Sequence, residues 1–199
     1  MEPCRDPAKL SGFEHNLLRQ EVFRIIKSKS FFRERIKLAS GRESDFYFNM
    51  KTSMFDPECS WKISELLFDR LLSEKFDYVG GLAIGAIPLV SNLAAYSHYK
   101  NQKIQGFFVR DKVKDHGTKL LIEGLPTGET LQGSKVVILD DVVTTGGSAL
   151  KAVNAAQEAG AAVILVLALV DREEGGSETY AKAKIRYESI FKASEFLNS

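Results

Sequence analysis

Residues 161–170, AAVILVLALV, are the longest uninterrupted apolar run in the chain. The run is far below the ~20 residues of a membrane span, and it has no polar face to turn toward water. A segment so rich in Val, Ile and Leu is predicted to be a strand covered on both sides, the environment of a parallel sheet. Its neighbours agree. A strand predicted over 77–82 leads to Gly85 and a helix opening near Pro88. A strand over 105–109 follows, then one over 135–140, a helix at about 146–158 stopping at Gly160, a short helix near 177–183 and a last strand at 185–190. Strands alternating with helices predict an α/β protein with a central, mainly parallel sheet flanked by helices. Ligands of such sheets gather at the carboxyl ends of the strands, which directs attention to the residues that follow each one.

Upstream, Ser11 and Glu14 have capping-box spacing, and Phe13, Leu17, Leu18, Val22, Ile25 and Ile26 recur at helical period. Residues 35–50 read as two short strands around the turn-forming Ser40-Gly41-Arg42. Asp56 and Pro57 then open a helix whose buried stripe is Ile63, Leu66, Leu67 and Leu71. No repeat, low-complexity tract or linker divides the chain, so residues 1–199 are expected to form a single domain. A chain of this length buries roughly 70% of its unfolded surface and needs no staple. Cys4 and Cys59 are accordingly expected to be free thiols, and no Cys/His spacing suggests a protein-held metal. Lys and Arg total 27 against 26 Asp and Glu, a balance that argues against a dedicated nucleic-acid binder. The start, MEPCRDPAKL, lacks the apolar core of a signal peptide. The expectation is a soluble cytoplasmic protein with no membrane or nucleic-acid partner.

The sharpest chemical signal is Val136-Val137-Ile138-Leu139-Asp140-Asp141-Val142-Val143-Thr144-Thr145-Gly146-Gly147-Ser148. A buried strand ends in paired carboxylates, and a turn of small residues then enters a helix. The turn offers backbone N–H groups, hydroxyls and a positive helix end, the ingredients of a phosphate cradle. Gly146 and Gly147 let the backbone approach an anion closely. Asp140 and Asp141 would repel a phosphate and suit ribose hydroxyls or a hydrated magnesium ion instead, so the ligand described is a sugar phosphate. An acidic strand end that merely caps a helix accounts for one Asp and one Thr, not for the whole order. Neither GxxxxGK[ST] nor a dinucleotide GxGxxG is present.

One segment breaks the strand–helix rhythm. Residues 110–133 show little periodicity and carry Arg110, Lys112, Lys114, His116 and Lys119 among glycines. A long basic loop of this kind reads either as a lid over an anion or as a solvated surface loop.

The thirteen-residue stretch resembles the signature by which type I phosphoribosyltransferases bind 5-phospho-α-D-ribosyl 1-diphosphate (PRPP). Three more segments are similar to orotate phosphoribosyltransferases in particular. These are Ser40-Gly41-Arg42 with the following Phe46-Tyr47-Phe48, the run RDKVKDHG from Arg110 to Gly117 continued by TKLLIEG, and Asp171-Arg172 after the long apolar strand. The resemblance spans roughly residues 12–197. It implies a type I phosphoribosyltransferase-like fold with a small N-terminal hood at about 12–50 and a catalytic lid loop at 110–133.

It also implies PRPP and orotate as substrates, orotidine 5′-monophosphate and pyrophosphate as products, a place in UMP synthesis, and magnesium carried mainly by PRPP and pyrophosphate. By the same resemblance Thr144, Thr145, Gly146, Gly147 and Ser148 would hold the 5′-phosphate, with Asp140, Asp141, Val142 and Val143 completing the PRPP segment. Arg110, Lys114 and His116 would be the catalytic groups facing pyrophosphate. Arg172 would face the orotate carboxylate, with Thr144 and either Phe46 or Tyr47 on the base side; for the aromatic pair, packing within the core is the other reading. A homodimer with shared active sites is implied too. The chain departs from many relatives at Asp111, Gly85 and Ala39, where lysines are common, and the pyrophosphate contacts are the ones these changes touch. A phosphoribosyltransferase for another base, or a PRPP-sensing regulator, are the alternative functions.

Overall fold

The computed structural model describes residues 9–37, 43–111 and 121–199. The chain opens with α1 (Gly12–Lys29), β1 (Phe31–Phe32), β2 (Ile36–Lys37), β3 (Glu43–Ser44), β4 (Tyr47–Phe48), α2 (Met50–Met54) and α3 (Pro57–Leu71). The sheet-forming part follows as β5 (Tyr78–Gly80), α4 (Ala86–Tyr99), β6 (Gln105–Gly106), β7 (Phe108–Val109), β8 (Ile122–Glu123), β9 (Lys135–Val143), α5 (Gly147–Glu158), β10 (Ala162–Asp171), α6 (Gly176–Lys182), β11 (Tyr187–Lys192) and α7 (Ala193–Leu197).

Five strands make the central sheet in the order β11-β10-β9-β5-β6, every pair parallel. Chain order therefore reverses between β5 and β9, and a parallel sheet leaves its ligand crevice at that point. The apolar run predicted as a doubly covered strand is β10. Leu165, Leu167 and Leu169 enter the layer built with α3 and α4, whereas Val166 and Ala168 enter the layer built with α5 and Tyr180. Along β9, Val137 and Leu139 take the first side and Val136 and Ile138 the second, the two-residue period of a strand. On the second side Ala149, Ala152, Ala155 and Ala156 line α5, small side chains that bring its backbone close to the sheet.

The N-terminal elements behave as their local chemistry dictates. Ser11 and Glu14 form the expected reciprocal capping box, and the Asp56 carboxylate caps α3 ahead of Pro57. Two short antiparallel pairs, β1–β4 and β2–β3, form here, and residues 38–42, including Ala39, Ser40, Gly41 and Arg42, lie outside the described residues. Phe31, Phe48 and Phe196 pack with centroids 5.1–5.7 Å apart, fastening the β1–β4 pair to α7.

The expectation for α1 needs correction. Leu18, Val22 and Ile26 are buried, but Phe13 is 78% and Leu17 46% exposed. The helix rests on α3, where Asp69 accepts from the Leu10 N–H and pairs with His15 Nδ1; that anchor turns the Phe13 and Leu17 edge outward. Two further differences concern extent. β9 runs three residues beyond the predicted end and carries both aspartates within the strand. The stretch 110–133 is not all loop, because Ile122–Glu123 pairs back antiparallel with Phe108–Val109.

Candidate active site

The carboxyl ends of β5 and β9 meet at the sheet's reversal point, and the β9 end is where the carboxylate pair lies. Asp140 is buried and Asp141 half-buried. Burial first, and the neighbouring Asp141 charge second, push the Asp140 carboxyl well above the ordinary aspartate range. Burial also raises Asp141, opposed by the Val142 N–H and the positive charge of Lys51. Such a pair accepts hydrogen bonds from hydroxyls without presenting two full negative charges. Alternation along the strand separates the two. Asp140 and Val142 face a cavity of about 250 Å³, whereas Asp141 faces the loop after β5. A Cβ at Gly85 would stand 2.6 Å from Asp141 Oδ1, so a larger residue there would have to displace the Asp141 carboxylate.

The same cavity is walled by residues 144–148 and Lys151. Gly146 turns the chain at φ 85°, a left-handed conformation that glycine adopts freely, and α5 begins at the next residue. Two donors from α6 hold the turn from behind: Thr179 Oγ1 donates to the Thr145 carbonyl at 2.8 Å and Tyr180 OH to the Gly146 carbonyl at 3.2 Å. With carbonyls engaged at the back, the N–H groups at the helix start remain for an anion in front. Val143 is the exception in this segment. Its side chain is buried in the core, and its carbonyl accepts from the Arg172 N–H at 2.8 Å.

That backbone bond sets Arg172 beside the cradle. Its guanidinium is buried at the end of β10. Nη2 donates to Ser44 Oγ at 2.9 Å and the Phe46 carbonyl at 3.2 Å, and pairs with Glu174 at 2.8 Å. The Phe46 ring lies 4.6 Å from the guanidinium carbon, in cation–π position. Nε is buried without a hydrogen-bond partner, an unsatisfied donor on a group suited to a planar carboxylate. Tyr47 points elsewhere and stacks on Phe32 at 4.9 Å. The two aromatics that sequence reading treated alike are thus separated by strand alternation, and Phe46 is the one beside Arg172.

Arg110 leaves β7 on the far side of the crevice, with Nη1 3.1 Å from Glu123 and its N–H on the Leu121 carbonyl. Lys112, Lys114, His116 and Lys119 lie outside the described residues. Sequence reading missed Lys151, one turn into α5, and also Ser44 and Glu174 as partners of Arg172. Only for Lys151 was a signal present, its place four residues past Gly147 on the same helix face.

A family model for the phosphoribosyl transferase domain matches residues 56–196. An orotate phosphoribosyltransferase from Bradyrhizobium diazoefficiens is 53% identical over 91% of this chain and 97% of its own length. One from Aquifex aeolicus is 42% identical over 91% and 98%. The chain belongs to the orotate phosphoribosyltransferase family. Among solved structures, Mycobacterium tuberculosis orotate phosphoribosyltransferase in complex with PRPP superposes with a TM-score of 0.74 at 30% identity, covering 90% of this chain and 98% of that one. The Aeropyrum pernix enzyme gives 0.73 at 28% identity, over 91% and 96%. Membership fixes the fold as that of the type I phosphoribosyltransferases and the class as glycosyl transfer. No helix among the described residues is long and apolar enough to cross a membrane.

Proposed function

We propose that the chain transfers the phosphoribosyl group of PRPP to orotate, releasing pyrophosphate and forming orotidine 5′-monophosphate, as its family membership implies. The observation that carries the site assignment is the junction of two recognition units. The anion cradle at residues 144–148 and the buried Arg172 are tied together by the bond from the Arg172 N–H to the Val143 carbonyl. One unit suits the donor's phosphate, the other the acceptor's carboxylate, and a ribose spans the interval.

In this reading the turn N–H groups and hydroxyls hold the 5′-phosphate, and Asp140 and Asp141 accept from the ribose hydroxyls. Arg172 pairs with the orotate carboxylate, Thr144 stands at the base side of the cradle, and Phe46 keeps the guanidinium in plane. Cleavage of the C1′–O bond leaves charge on pyrophosphate and an oxocarbenium-like ribose, so stabilising the leaving group and excluding water are the main tasks. Arg110 exchanges Glu123 for pyrophosphate oxygens; Lys114 supplies the largest electrostatic contribution and His116 a charge-assisted hydrogen bond. Magnesium carried by PRPP would lower the charge of the leaving group, with Asp140 and Asp141 the residues that would face its bound waters. The Asp140–Asp141 oxygens, raised in pKa, fit hydroxyls and metal-bound waters.

The reading includes a cytoplasmic homodimer with shared active sites. An exposed aromatic face, where Trp61 and Tyr99 lie 5.0 Å apart with 46% and 65% of their surfaces open, supports burial against a second copy. Sedimentation at micromolar concentration tests it, a monomer being the contrary result. The reaction is tested by following the ultraviolet absorbance of orotate with PRPP and magnesium, beside a panel of purine and pyrimidine bases. Turnover of another base with orotate inert would overturn the assignment.

A further inference from the structure

Among the described residues that wall the cavity at residues 144–148, Lys151 carries the only formal positive charge. The other groups there are neutral donors, apolar surface and the Asp140 carboxyl. We propose that Lys151 is a further binding residue for the 5′-phosphate, and that Asp111 competes with the phosphate for it. The inference rests on residues 144–148 being the phosphate cradle.

Three observations carry it. A phosphate monoester brings a charge of about −1.5 to −2 at neutral pH, and neutral N–H and hydroxyl donors leave most of that charge without a counter-ion. Lys151 lies one helical turn past Gly147 on the face that borders the cavity. Within α5 no acidic residue stands three or four positions from Lys151, so no intrahelical ion pair engages it. An intrahelical pair therefore does not account for lysine at this position, whereas an anion in the cavity it borders would.

The third observation is the present partner. Lys151 Nζ lies 2.7 Å from Asp111 Oδ1, with side chains 63% and 49% exposed. An exposed pair of this kind contributes little net stability, so a doubly charged phosphate displaces the single carboxylate with ease. Asp111 keeps its place as Lys151 turns, because the preceding Arg110 N–H is bonded to the Leu121 carbonyl and β7 is paired with β8. Asp111, an acid within a basic segment, thereby acquires a role: it tempers affinity for phosphorylated ligands by holding their cation.

Ribose 5-phosphate is the probe, titrated calorimetrically into the full chain at fixed ionic strength, with ribose as a phosphate-free control. Lys151→Met is expected to weaken binding about tenfold, and Asp111→Asn to tighten it by about threefold. The double variant should match Lys151→Met alone, because Asp111 acts through the lysine. Thermal melts of the variants should track the parent, as both side chains are exposed. Unchanged affinity in Lys151→Met, or the same tightening by Asp111→Asn with methionine at position 151, would overturn the proposal. Ser148→Ala separates the levels. If it weakens binding while Lys151→Met does not, only the lysine assignment fails; if neither does, the cradle reading fails with it.

Discussion

Gly146 and Gly147 are adjacent in the sequence, yet alanine should act on them in opposite directions. At Gly146 the backbone is left-handed, φ 85°, where an L-residue costs about 1–2 kcal/mol. Its Cβ would also stand 3.0 Å from Tyr180 Cζ and 3.1 Å from the Tyr180 hydroxyl. Tyr180 is fully buried and bonded to the Gly146 carbonyl, so it cannot retreat, and overpacking of this sort adds about 1–3 kcal/mol. Together Gly146→Ala should cost about 2–5 kcal/mol. At roughly 2–4 °C per kcal/mol for a chain of this size, that is a fall in Tm on the order of 4–20 °C.

Gly147 is the first residue of α5, and the nearest atom to a Cβ there is Thr145 Oγ1 at 3.9 Å. Alanine should therefore stabilise the fold by about 0.4–1 kcal/mol, a rise of about 1–4 °C. Both positions wall the cavity, so both variants should raise KM for PRPP, by about tenfold for each charge-assisted bond lost. Differential scanning fluorimetry and initial rates with varied PRPP measure the two effects separately. A Gly146→Ala protein that melts with the parent, or a Gly147→Ala protein that melts lower, would refute the account of the turn.

Burial holds the Asp140 carboxyl above its ordinary range, so the folded state binds that proton more tightly than the unfolded chain does. The Asp140 contribution to stability should be full at and below the ordinary aspartate pKa and should be lost as pH rises through the elevated value. Asp140→Asn removes the decline: melts from about pH 4 to pH 8 should show its Tm gaining on the parent, while transfer activity falls. A constant gap across that range would contradict the assignment. Arg172→Lys loses the planar two-bond geometry and should raise KM for orotate by about tenfold or more with KM for PRPP nearly unchanged, which two-substrate kinetics resolves. Lys114→Ala should lower kcat by orders of magnitude while binding PRPP nearly as the parent does, since a group facing the leaving pyrophosphate acts mainly in the transition state; equal turnover would remove it from the mechanism.

Much of this was readable along the chain because the determining interactions are local. The run at 161–170 has no polar face, which admits only a doubly covered strand. The capping groups of α1 and α3 lie within three residues of the N–H groups they satisfy. Side-chain destinations were less legible. Phe13 and Leu17 share a helical stripe with Leu18, and only the docking of α1 on α3 decides which edge is covered. Phe46 and Tyr47 are neighbours of like character, and the pairing of β1 with β4 sends one toward Arg172 and the other to Phe32.

The sequence by itself determined the strand, the acidic pair, the turn and the helix start at residues 136–148, since steric freedom at glycine, hydrogen-bond donors and the helix dipole all act over a few residues. Tertiary structure alone decided which distant groups meet there. Ser44 reaches Arg172 across 128 positions and Asp111 reaches Lys151 across 40. No local preference encodes those meetings. They follow from the order in which five parallel strands pack, which sets the ends of β5, β9 and β10 side by side and folds the N-terminal pairs over them.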